Sequence, residues 1–133
     1  MAFVHAKDTF ISLAANNLST FTNTSELEQE SDEHDNTCYG ADDYVMAGGL
    51  LKGAFTMGGV HDDTASGPKA IIEPLIGTVV TLIRRTEGTG SGLPQESVSV
   101  LVKKYVETNA VADFIKWSCD LTKTGAITRS TQA

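Results

Sequence analysis

Residues 26–43 carry eight carboxylates and neither lysine nor arginine. Four of them, Glu26, Glu28, Glu30 and Asp32, occupy every second position. A strand sends alternate side chains to opposite faces, so as a strand this stretch gathers the four acids into one row. A helix would scatter them, because positions two apart do not share a helical face. The intervening Leu27, Gln29 and Ser31 are only weakly apolar. The spacing therefore predicts an exposed strand or a long hairpin arm. Three roles fit such a charge block: a solvated loop, a cation site, or a surface that repels another polyanion.

Ligand geometry counts against the cation site. His34 sits among Asp32, Glu33 and Asp35, and His61 precedes Asp62 and Asp63. The Asp-x-Asp-x-Asp-Gly spacing of a calcium loop is missing. Cys38 and Cys119 are too far apart in the chain to form a local zinc-binding pair. Catalytic patterns are also missing. Gly88-Thr89-Gly90-Ser91-Gly92 has the glycines of a phosphate loop without its lysine or its following helix. No Gly-x-Ser-x-Gly elbow is present. Cys38 near His34 is not a nucleophile on that ground alone. The expectation is a chain with no enzymatic activity, no cofactor and no metal.

The elements that must hold the acid row follow from the rest of the chain. Its 133 residues make one domain, 1–133, with 41% apolar and 20% charged residues. The net charge of −7 argues against general nucleic-acid binding, which rests on Lys and Arg neutralising phosphates. Such a chain can still lie beside DNA without adhering to it. No signal-peptide core opens the sequence, and the apolar stretch 70–83 is interrupted by Glu73, Pro74 and Gly77. These features suggest a soluble chain made in a reducing cytoplasm, with both thiols unpaired.

Strands are expected near 9–13, from about 22 through 31, and at 49–60, 78–85, 97–106 and 112–122. In the second half, Val98, Val100 and Val102 share one face, as do Ile115, Trp117, Cys119 and Leu121. Residues 15–17 read as a turn, 36–48 as the tip or return of a long loop, and 61–67 and 86–94 as loops. Residues 68–76 form the only helix candidate, opened by Pro68, limited by Pro74 and ended by Gly77. The tail 125–133 is expected to be loose. About six strands with a single short helix predict an all-β sandwich or barrel flanked by that helix. The pairs Arg84-Arg85 and Lys103-Lys104 are expected as solvated edges or as ion-pair partners of a neighbouring subunit.

Four passages carry a likeness to a known family. They are Met1-Ala2-Phe3-Val4-His5-Ala6-Lys7-Asp8-Thr9 with the later Asn17-Leu18-Ser19; Thr37-Cys38-Tyr39-Gly40; Gly49-Leu50-Leu51-Lys52-Gly53-Ala54-Phe55-Thr56-Met57-Gly58-Gly59-Val60; and Trp117-Ser118-Cys119-Asp120-Leu121 with Gly125-Ala126-Ile127-Thr128-Arg129. In these the chain resembles the tail tube, or major tail, proteins of long-tailed phages, especially those of actinobacterial hosts. The resemblance implies a virion structural protein whose hexameric rings stack into a hollow tube. It implies a long β-hairpin within 22–60 that joins an inter-subunit barrel, and a lumen that DNA crosses during ejection without specific binding. Glu26, Glu28, Glu30 and Asp32 would then line the lumen. Implied partners are other copies of the chain, a tape measure protein and a tail terminator, with no membrane. The implied location is the virion tail, after assembly in the host cytoplasm. Competing roles are a capsid decoration or neck-ring protein on a related fold, and a cation-binding β-domain.

Overall fold

The computed structural model describes residues 3–63 and 67–133. Its strands are β1 (Phe10–Leu13), β2 (Asn16–Asn17), β3 (Thr24–Asp35), β4 (Met46–Val60), β5 (Val79–Arg85), β6 (Pro94–Thr108), β7 (Lys116–Lys123) and β8 (Thr128–Thr131). Helix α1 (Pro68–Ile72) runs into a 3-10 turn at Glu73–Leu75. The all-β expectation with one short helix therefore holds. Pro68 starts the helix, where a missing N–H costs nothing. Gly77, at φ +86°, turns the chain out of it.

Every pairing is antiparallel, in the order β2-β1-β5-β6-β7-β4-β3, with β8 added to β6. In a flat sheet β1 and β4 would lie about 19 Å apart, four strand spacings of ~4.8 Å. Yet Ile11 and Leu13 of β1 belong to the same core as Phe55 and Met57 of β4. The sheet therefore curls around one core, and α1 closes a side of it with Ile72. Alternation builds that core as the sequence predicts. Val98, Val100 and Val102 are buried, and Phe55 and Met57 stand opposite Leu121 and Cys119. Trp117 is 3% exposed, and its indole N–H donates to the Phe21 carbonyl at 3.3 Å. That same carbonyl fills the space a Cβ at position 59 would need, which explains Gly59.

Four local expectations need correction. The first turn is Ala14-Ala15, both at positive φ (51° and 67°), while Asn16 and Asn17 form β2. The type I′ form of a two-residue hairpin turn needs left-handed backbone at both central positions, and here the pairing of β1 with β2 imposes it on alanine. The tail is ordered: β8 pairs with β6, and the Gln132 side chain donates to the Gly88 carbonyl at 2.8 Å. Ile115 precedes β7 and is 38% exposed, so it does not continue the buried row. The acidic strand runs to Asp35 and β4 begins at Met46, so the tip loop covers only 36–45. Positions 64–66 of the expected 61–67 loop lie outside the described residues.

Candidate assembly surface

β3 pairs with β4 along its whole length, from Thr24 opposite Gly58 to Asp35 opposite Met46. β4 pairs with β7 only from Ala54 onward. Among the described residues, 46–53 of β4 therefore have no strand partner except β3, and together with the facing part of β3 they project from the body as an arm. The tip is tied at its base. The Thr37 N–H donates to Asp35 Oδ1 at 2.9 Å, and the Val45 N–H donates to Thr37 Oγ1 at 2.7 Å. Hydrogen bonds from the Thr37 side chain and backbone hold the Asp35 carboxyl below its ordinary pKa.

The period-two row survives in three dimensions. Thr56, Ala54 and Lys52 stand opposite Glu26, Glu28 and Glu30. The Lys52 ammonium lies 3.2 Å from Asp32 and 3.6 Å from Glu30, so both carboxylates are reached from one face. Its pKa is raised, first by the hydrogen bond to Asp32 and then by the Glu30 charge. The row is thus partly neutralised from within the chain, which the sequence reading missed. The signal was available: Lys52 shares the parity of Ala54 and Thr56, and hairpin pairing brings that parity beside the acids. Among the described residues, Glu26 and Glu28 have no ion-pair partner.

A bulge interrupts the ladder at Asp32. Ser31 stands opposite Leu51 and Glu33 opposite Gly48, so Gly49 and Leu50 together span the place of Asp32. A Cβ at Gly49 would lie 2.6 Å from His34 Nε2, the end of an exposed side chain that is free to swing aside. Bulges also strengthen local twist.

The other side of the arm is apolar but unburied. Leu51 shares the face of Phe55 and Met57, yet is 72% exposed because the core ends before it. Met46, Val45, Tyr44 and Tyr39 are exposed toward the tip. At the root of the arm, a groove of ≈ 390 Å³ is lined by Leu51, Lys123, Ala126 and Ile127 among others. Arg129 ties the tail across it, donating to Gln29 and lying 3.7 Å from Glu96.

The face bearing the acids extends into β7 and β6. Asp120 and Thr122 of β7 flank Thr56 and Ala54. A second bulge lies between Val102 and Lys104 of β6. Val102 is buried and the Tyr105 ring stacks on Trp117 at 6.2 Å. Both lysines between them, Lys103 and Lys104, therefore fall on the outer side and are exposed.

The other basic pair is used inside the chain. Arg84 pairs with Glu96 at 3.0 Å; Arg85 donates to Gln95 at 2.8 Å and covers the Phe10 ring at 4.6 Å. Neither is free for a neighbour, a correction to the reading that grouped them with the lysines. Cys38 is exposed, while burial, with the nearby Asp120 charge second, pushes the Cys119 thiol up to about 12. Among the described residues, no three His, Cys, Asp or Glu side chains group closely enough to hold a metal ion, and no helix is long and apolar enough to cross a membrane.

This architecture, a curled antiparallel sheet with one helix and a projecting hairpin, is the fold of tail tube proteins. A chain of the virion of a native gene transfer agent particle superposes with a TM-score of 0.80 at 12% identity, covering 97% of this chain and 100% of that one. A chain from the tail of the empty gene transfer agent particle, refined with C6 symmetry, gives 0.77 at 13% identity, covering 98% and 100%. The SPP1 tail tube gives 0.73 at 11% identity, covering 98% of this chain and 80% of that one. No protein-family model matches the sequence, and no curated protein matches it.

Proposed function

We propose that this protein is the non-enzymatic subunit of a phage-like tail tube, in which hexameric rings stack around a channel crossed by DNA. The observation that carries the reading is the match of fold over 97–98% of the chain to chains of a gene transfer agent virion, of the tail of its empty particle and of a tail tube. The C6 symmetry of one of those tails supports six copies per ring. The arm supports the same reading on physical grounds. An isolated two-stranded ribbon is marginal in water, and this one leaves apolar side chains uncovered and a long strand edge unpaired. Lateral addition of further copies would bury those side chains and remove the edge, as closure of any barrel does.

In that assembly Glu26, Glu28, Glu30 and Asp32 line the lumen together with Lys52. The acids of this face outnumber Lys52, Lys103 and Lys104, so it stays net negative and repels DNA phosphates, and the channel does not hold the molecule passing through it. Repulsion between neighbouring copies is limited by screening, with a Debye length of about 8 Å at physiological salt. The tape measure and tail terminator belong to the same proposal as end-defining partners, and the virion tail as the location. Negative-stain electron microscopy of the purified protein tests it: hollow stacked rings are expected. A dispersed monomer whose melting temperature rises with calcium would replace this reading with a cation-binding one.

A further inference from the structure

Two strand edges of the acidic face are open. Among the described residues β3 pairs only with β4. Beyond Leu101, where its ladder with β5 ends, and the backbone bonds of Val102 to Gly77 and Thr78, β6 pairs only with β7 among the described residues. The open segment of β6 begins with Lys103 and Lys104, whose side chains have no ion-pair or hydrogen-bond partner within the described residues. Asp120 stands across from Lys104 on β7 but makes no ion pair with it. The open edge of β3 carries Glu26 and Glu28, equally unpaired. One edge thus presents two free cations and the other two free anions, all on the same outer face.

The order β6-β7-β4-β3 contains four antiparallel strands. An even number means that β3 of one copy runs antiparallel to β6 of the next when the copies are related by rotation about an axis along the strands. We propose that Lys103 and Lys104 of one copy pair with Glu26 and Glu28 of its neighbour, so that this charge match selects the register of β3 against β6. Opposite charges facing each other across strands stabilise a pair, and like charges oppose it. The inference rests on the tube reading and specifies its lateral contact. It also divides the labour among the acids: Lys52 serves Glu30 and Asp32 within each copy, and the bulge lysines serve Glu26 and Glu28 between copies.

The test uses two full-length variants, K103E/K104E and E26K/E28K, followed by sedimentation velocity and electron microscopy. Each variant alone sets like charges against each other and should need on the order of tenfold more protein to assemble. An equimolar mixture should assemble like the wild type, because alternating copies restore opposite charges at every contact. The neutral K103Q/K104Q chain should assemble with a weaker dependence on salt. Variants that assemble alone as the wild type does would overturn the pairing and leave the tube reading standing. Folded variants whose mixture stays dispersed, or K103Q/K104Q with wild-type salt dependence, would do the same. A wild-type chain that never assembles would overturn both.

Discussion

The body and the arm are built from the same strands and the same alternation, yet they differ in what that alternation achieves. In the body, Phe55 and Met57 meet Leu121 and Cys119 and are almost fully buried. Four residues before Phe55, Leu51 occupies the same face and is 72% exposed. The difference is not one of local sequence, since β4 runs unbroken through both. It lies in the partners: β7 ends its pairing at Ala54, and past that point only β3 is present. Part of one strand serves the core, and the rest stays uncovered in the single copy.

That contrast is open to mutation. Phe55→Ala empties a fully buried site and should cost ~3–5 kcal/mol in urea unfolding. Gly59→Ala drives a methyl against the Phe21 carbonyl, so a loss of roughly 1–3 kcal/mol is expected by the same measurement. Body stability should also fall at high pH. Cys119 is raised from 9.0 to about 12 by burial first and the Asp120 charge second, so its contribution is complete below pH 9 and is lost as pH climbs toward 12. Cys119→Ala should make the decline of the urea midpoint shallower. Some decline should remain, because Tyr105, raised from 10.0 to about 12 chiefly by burial, acts in the same direction. Leu51→Asp should change unfolding of the unassembled chain by less than ~0.5 kcal/mol while weakening assembly. A loss comparable to that of Phe55→Ala would erase the distinction between body and arm. Lys52→Ala removes an exposed, solvent-screened bridge and should leave the urea midpoint almost unchanged.

Much of the body was legible because burial follows period two. Val98, Val100, Val102, Trp117, Cys119 and Leu121 all lie where alternation places them. The acid row was legible for the same reason, as far as its shared face. What sequence could not show were features set by long-range pairing. Ala14-Ala15 adopts a conformation that alanine disfavours, because the β1-β2 pairing demands it. The tail reads as loose because its residues are small and polar, but its order comes from the β6 ladder, Glu96 and Gln29. Lys52 sits 22 and 20 residues beyond Glu30 and Asp32, the acids it bridges, and only the hairpin register brings them together. Lys103 and Lys104 share a face only because a bulge resets the alternation.

A reconstruction of the assembled protein at side-chain resolution tests the central claim most directly. The account predicts a hollow tube with Glu26, Glu28, Glu30 and Asp32 facing the channel, and Lys103 and Lys104 of one copy beside Glu26 and Glu28 of the next. A tube with those carboxylates on its outer surface would contradict it.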